Sequence, residues 1–364
     1  MTTACLLNLL QYRPGPNGFS RYVERVVPRL QGRRLSFVPV LGDNTFGRSG
    51  DALLAVEDSL GHRLLQRFSL AQHGLSLKRR LSHSDCSDLR VVYSPYCDYL
   101  FAASHLPQVI TCHDLIPLFY AGSRRAYWRY RLWTPFQLRR ADHVIAISRF
   151  VADQLVNIGL PHQRITVIPN GIGVERQRVS APKSQDWLVL ARHDRNKNLI
   201  QIIQAYALFL QRHPCWPGSL VVVGRQGRET AKLCRMVSEL ALNDRVQFVF
   251  HLDLNALVRR LRSAYALISA SLMEGFDYPV LEAKAEGIPT LISSIPAHCE
   301  WHVDSSLLFP SGSDPAGLAT AMGALVADQS LWQQLSETGY SLVKQLSLER
   351  QVQSIQQVLA QVCT

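Results

Sequence analysis

Ser269-Ala-Ser-Leu-Met-Glu-Gly-Phe-Asp-Tyr-Pro-Val-Leu-Glu-Ala-Lys-Ala-Glu-Gly-Ile-Pro289 carries the pattern from which the architecture of this chain follows. The apolar run before it predicts a strand that ends near Ser269. A loop then carries Glu274 and Gly275. Pro279 fits the first helical position, where its missing N–H costs nothing, and Gly287 and Pro289 stop the helix. The result is a strand–loop–helix unit. Its helix N-terminus offers free backbone N–H groups and a partial positive charge of about +0.5. Gly275 permits close backbone approach, so a diphosphate is the expected occupant. The two carboxylates, Glu274 in the loop and Glu282 one turn into the helix, suit vicinal hydroxyls of a sugar or ribose. The competing reading makes Glu282 and Glu286 first-turn acids that balance the helix dipole.

Outward from this segment the same alternation repeats. In the first half, apolar runs at Ala4–Leu10, Leu35–Leu41, Val91–Ser94, Gln108–Cys112, Val144–Ser148 and Ile165–Pro169 predict strands. Helices are expected from Ser20, as N-cap, to Leu30, and over Arg149–Gly159 with Ser148 as N-cap. After the polar stretch Glu175–Gln185 the pattern restarts with strands at Trp187–Ala191, Ser219–Gly224, Val246–Phe250, Tyr265–Ser269 and Thr290–Ser293. Helices separate them, and an amphipathic helix over Leu348–Cys363 ends the chain. Strands alternating with helices imply α/β architecture with two doubly wound parallel sheets. The expected domains are 1–172, 173–346, and a terminal helix over 347–364 that packs back on the first. Ligands in such folds sit beyond the carboxyl ends of strands, and two such domains face to face would leave a cleft.

A second basic segment belongs to the later domain. Ala191-Arg-His-Asp-Arg-Asn-Lys-Asn198 follows a strand, so Arg192 as a fork and Lys197 as a point charge could clamp a diphosphate. A charged surface loop is the alternative.

Taken together these residues resemble the GT-B-fold retaining glycosyltransferases of family 4, whose E-x7-E segment reads close to E-G-F-G-L-P-x-x-E-A-x-A-x-G-x-P. This chain matches at Glu274, Gly275, Phe276, Pro279, Glu282, Ala283, Ala285, Gly287 and Pro289. It departs at Asp277, where the family has Gly, and at Tyr278, where it has an aliphatic residue. The resemblance implies donor binding by Gly18, Arg192, Lys197, Gly275, Phe276, Asp277, Tyr278 and Glu282, with Gly18 and Gly15 in a glycine loop after the first strand. It makes Glu274 and His113, in Thr111-Cys-His-Asp-Leu-Ile-Pro-Leu118, the catalytic pair. His113 would bond the donor sugar and stabilise charge at the anomeric centre, and Asp114 would orient local backbone or reach toward the acceptor. The spelling around His113 is similar to mannosyltransferase-like members, which points to a GDP-sugar as donor and to hexose transfer onto a glycan or lipid-linked acceptor in polysaccharide or lipopolysaccharide assembly. Transfer with retention by front-face displacement is implied. No D-x-D pair occurs in the chain, so no metal and no cofactor beyond the nucleotide sugar are expected.

Composition narrows the remaining classes. With 47% apolar and 18% charged residues the chain is globular in character, and no apolar run is long enough to span a membrane. The N-terminus reads as a buried strand and not as a signal peptide. Eight scattered cysteines without a C-x-x-C pair suggest a reduced, cytoplasmic setting. The net charge of +11 lies almost wholly in residues 1–170, where 21 Lys and Arg face 11 Asp and Glu. Arg124–Arg140 mixes Arg with Tyr and Trp, and Leu64–Leu81 adds four more basic residues. That pattern suits peripheral contact with the inner face of a membrane, with a solvated basic face as the alternative. No nucleic-acid motif accompanies it. Two other functions remain open on sequence alone, a sugar-nucleotide epimerase and a non-catalytic nucleotide-sugar-binding subunit.

Overall fold

Short apolar runs pair side by side in both sheets of this chain, and the central strands are buried along most of their length. The computed structural model describes residues 3–10, 12, 18–30, 35–41, 54–55, 88–174 and 176–363. The segment Leu64–Leu81 and the loop containing Gly15 lie outside the described residues. The chain divides into two units, residues 1–170 with 348–364, and residues 171–347.

In the first unit the strands are β1 (Thr3–Leu9), β2 (Leu35–Leu41), β3 (Leu54–Ala55), β4 (Leu89–Ser94), β5 (Gln108–Cys112), β6 (His143–Ala146) and β7 (Ile165–Val167). Their order across the sheet is β3-β2-β1-β4-β5-β6-β7, and every pairing is parallel. Parallel strands must be covered on both faces, and Val91, Val92, Val109, Ile110, Val144 and Ile145 are accordingly buried. Ser148 caps the helix Arg149–Asn157 by accepting from Val151 N, as expected. Gly159 ends that stretch at φ 92°. The first helix corrects one expectation: it runs Gly18–Leu30, so Ser20 is a buried internal residue and not the cap. The terminal helix Leu348–Val362 packs in this unit, burying Val352, Ile355, Val358 and Leu359. Its Gln356 side chain donates to the Leu30 carbonyl at 2.7 Å, closing off the C-terminal end of the first helix.

The second unit carries β8 (Trp187–Leu190), β9 (Leu220–Val223), β10 (Val246–Val249), β11 (Ala266–Ser269), β12 (Thr290–Ser293) and β13 (Leu307–Phe309). Their order is β10-β9-β8-β11-β12-β13, again all parallel. One face is closed by an aromatic cluster in which the ring of Trp187 meets those of Phe209, Trp216 and Tyr265 at centroid distances of 5.5, 5.8 and 5.2 Å. Such contacts add to burial because ring edges meet ring faces. Strand β13 and the helix Pro296–His302 were not anticipated: each is short, and neither carries a clear period. The sequence order reverses between β8 and β11. The chain leaves those two strands in opposite directions, which opens a crevice at their carboxyl ends.

Candidate active site

Two loops border that crevice in the second unit, residues 191–198 after β8 and residues 270–277 after β11. They are stitched together by their backbones, with Leu272 N donating to Asn196 O at 2.8 Å. A small pocket here is lined by Ala191, Lys197, Ser269, Ser271 and Pro279. Gly224, at the end of β9, is fixed by packing. A Cβ there would come within 1.9 Å of the Ala191 carbonyl, so only glycine lets the 191–198 loop leave its strand on this path.

Lys197 and Glu274 meet across the two loops. The Lys197 ammonium donates to Glu274 Oε1 at 2.5 Å. Glu274 is buried, and a carboxylate buried without a cation would be costly, so each group holds the other ready. The helix that follows spans Tyr278–Ala285, with Pro279 in its first turn. That turn contains no acidic residue. Glu282 is the fifth residue, and Glu286 lies at the C-terminal end, where it pairs with Arg176 and Arg262. The dipole reading of these two glutamates therefore fails on geometry. Gly275, Phe276, Tyr278 and Glu282 are all buried, and the rings of Phe276 and Tyr278 lie 6.2 Å apart.

Asp277 is the N-cap residue, at φ 75°, ψ 74°. This is the left-handed region that glycine occupies most easily. Its Oδ2 accepts from Ser269 Oγ at 2.6 Å and lies 3.1 Å from His298 Nε2. Burial by itself would raise this carboxyl, yet the Lys197 ammonium, with His298 and Ser269, holds it well below the usual carboxylate range. Nothing in the spacing of the sequence announced His298. It sits 21 residues further on, and only the pairing of β11 with β12 brings it to the loop.

Arg192 goes elsewhere. Its guanidinium pairs with Asp194, two residues on, and its side chain is 58% exposed. Of the expected basic pair, Lys197 alone touches the glutamate segment.

His113 and Gly18 belong to the first unit. Gly18 is exposed at the start of the first helix. His113 follows β5, and its Nε2 lies 2.8 Å from the Pro95 carbonyl. A carbonyl only accepts, so Nε2 bears the hydrogen and Nδ1 is the acceptor nitrogen. The ring meets Tyr22 edge-on at 4.6 Å, and burial pushes its pKa down to about 4. The imidazole is thus neutral near pH 7. Asp114 accepts from Ile116 N at 3.0 Å and shapes the turn beyond it. Beneath them, the hydroxyls of Tyr22, Tyr93 and Thr111 form a buried chain, at 2.8 Å and 2.9 Å. No spacing along the sequence pointed to these three hydroxyls meeting.

The segment Ile116–Arg140 forms the short helices Arg124–Trp128 and Thr134–Arg140 around a wider turn at Arg129–Trp133. It carries Phe119, Trp128, Leu132 and Phe136 exposed at 64, 58, 64 and 43%. Arg140 lies over the ring of Phe136, 5.1 Å from its centroid. Among the described residues no helix is long and apolar enough to cross a membrane.

Two doubly wound parallel units, each a sheet of parallel strands, are the architecture of the GT-B fold. The model of Glycosyltransferase Family 4 matches residues 16–176, and that of Glycosyl transferases group 1 matches residues 174–342. The chain belongs to this family of glycosyltransferases. It is 29% identical to the O-antigen chain mannosyltransferase RfbU of Salmonella typhimurium over 53% of this chain and 54% of that one, so it spans about half of that relative's length. It is 26% identical to the GDP-mannose:cellobiosyl-diphosphopolyprenol alpha-mannosyltransferase of Xanthomonas campestris over 79% and 77% of the two chains. Among solved structures, Anabaena HepE in complex with UDP and glucose shares the fold at a TM-score of 0.74 and 16% identity, over 99% of this chain and 100% of that one.

Proposed function

We propose that the chain transfers a hexose with retention of anomeric configuration, with mannose from a GDP-sugar as the first candidate donor. The acceptor we assign is a glycan or a lipid diphosphate-linked saccharide in surface polysaccharide assembly. The observation that carries this reading is the Lys197–Glu274 pair at the switch point, beside the N-terminus of the helix Tyr278–Ala285. An arriving diphosphate offers Lys197 a stronger partner, and Glu274 is then released to accept from sugar hydroxyls. The positive end of the helix dipole offsets part of the remaining phosphate charge. Catalysis on this reading is placement together with stabilisation of the leaving diphosphate, without a metal. His113, neutral and hydrogen-bonded through Nε2, supplies an acceptor nitrogen for a donor hydroxyl. The names of both mannosyl relatives support mannose, that of the Xanthomonas campestris relative supports a GDP-sugar, and the HepE complex makes UDP-sugars the second arm of the test.

We propose further that the exposed aromatic and Arg surface of Ile116–Arg140 rests on an anionic membrane face, where lipid-linked acceptors reside. Residues 115–141 contain six Arg and no Asp or Glu, so nothing in the segment offsets the attraction.

The deciding experiment is a thermal-shift and hydrolysis panel of GDP-, UDP- and ADP-sugars. A bound donor raises Tm by mass action. Slow release of nucleoside diphosphate, abolished in Glu274→Ala, is the expected outcome. Stabilisation by UDP-sugars alone overturns the mannosyl assignment. Tight binding with no turnover of any donor or acceptor overturns the enzymatic one.

A further inference from the structure

The turn that leads into the donor helix contains a residue that should avoid it. Asp277 sits at φ 75°, where L-residues with a Cβ are disfavoured, and something must hold it there. Its side chain is 1% exposed and that of His298 is fully buried, so solvent does not supply the restraint. The hydrogen bonds do. His298 Nδ1 lies 2.8 Å from the backbone oxygen of Ser293, which can only accept, so Nδ1 carries a hydrogen. His298 Nε2 faces Asp277 Oδ2 at 3.1 Å. That oxygen already accepts from Ser269 Oγ at 2.6 Å, and an ionised carboxylate only accepts. The nearby Lys197 ammonium favours the ionised form. An ionised Asp277 thus calls for a second hydrogen on Nε2, which makes the ring cationic. The network continues through Ser293 Oγ, which donates to the Ser271 carbonyl at 2.6 Å. It thus joins the ends of β11 and β12, the helix Pro296–His302 and the loop that bears Glu274.

We propose that Asp277 and His298 form a buried aspartate–imidazolium pair that locks the left-handed turn ahead of the donor helix. Asp277 is then a positioning residue for Glu274 and the helix N-terminus, and not a contact to the donor sugar. The proposal rests on donor binding at this helix end.

A positioning pair and a sugar contact make different demands on the ligand. If the pair sets the loop, Asp277→Asn and His298→Gln each weaken nucleoside diphosphate and nucleotide sugar by the same factor, about tenfold or more. The double variant is then no worse than the poorer single one, because both remove one interaction. Asp277→Gly, which needs no restraint to hold the left-handed turn, should lose less than Asp277→Asn, and an equal loss would overturn the locking role. If Asp277 instead touches the sugar, Asp277→Asn weakens only the nucleotide sugar and His298→Gln weakens neither, which overturns the proposal.

The pair can also be read without any ligand. Nitrogen NMR of histidine-labelled protein, with His298 assigned by its disappearance in His298→Gln, should show both ring nitrogens protonated at neutral pH. In Asp277→Asn only one should remain protonated. A singly protonated ring in the native chain overturns the pair even if every variant were to fold poorly. If the native chain binds no nucleotide while the ring is doubly protonated, the donor reading fails and the ion pair stands.

Discussion

Lys197 shows how one side chain can serve two states. It neutralises Glu274 in this structure and, on the proposed function, turns to an incoming diphosphate. Lys197→Met should lower kcat/KM by about 10²–10³, as loss of one transition-state donor does, measured as initial rates with the best donor of the panel. It should also cost roughly 1–3 kcal/mol of stability, because Glu274 is left buried without its donor. Arg192, exposed and paired with Asp194, makes a useful contrast: Arg192→Ala should leave Tm unchanged within error, since such surface pairs contribute little. His113 gives a pH signature. Its pKa is about 4 in the folded chain against 6.5 for the free side chain, so between these values the unfolded chain binds a proton that the folded chain excludes. Stability from this residue is complete above about pH 6.5 and is lost as pH falls toward 4. His113→Gln should flatten that part of the Tm–pH curve. An unchanged slope would place the imidazole in contact with solvent.

At the scale of elements, the helix Tyr278–Ala285 depends on how it starts and stops. Its start is the left-handed Asp277. Its stop is Gly287 at φ 79°, where a Cβ would come within 2.2 Å of Arg178 Cγ and 3.2 Å of Ser336 Oγ. Gly287→Ala should therefore destabilise the second unit by about 1–3 kcal/mol, read as a lower urea midpoint at unchanged m. If the midpoint holds, the helix end has more room than the packing indicates. The motif glycines thus differ in what they serve. Gly287 answers to packing, whereas Gly275 lies in the loop beside Glu274. Two helical elements escaped the reading of the sequence for related reasons. The helix Pro296–His302 is seven residues long and shows no clear period. The segment Arg124–Arg140 breaks its own 3.6-residue period with the wide turn at Arg129–Trp133, and its exposed aromatics blur any apolar face.

For the whole molecule, the excess positive charge and the exposed aromatic segment Ile116–Arg140 fall in the same unit. Vesicles rich in anionic phospholipid should sediment the protein at low salt and release it at high salt, as a Debye length of about 10 Å at 0.1 M requires. Trp128→Ala with Leu132→Ala should weaken that binding several-fold. No sedimentation at low salt would leave Ile116–Arg140 as a plain solvated face. Chelation by EDTA should leave initial rates unaltered if Lys197 and the helix end alone meet the diphosphate charge. By itself the sequence determined that the chain folds as two doubly wound parallel sheets and that Glu274, Gly275, Pro279 and Glu282 frame a helix N-terminus. Strand period, turn residues and motif spacing are local properties, and they are legible along a chain. Only the tertiary structure decided which basic residue meets Glu274, that Arg192 turns aside to Asp194, and that Asp277 is buried against His298. The Arg192–Asp194 pair is a choice of rotamer within one loop, whereas the other two contacts depend on the order of strands in the sheet, which brings together residues 77 and 21 positions apart, and no spacing along the chain encodes that order.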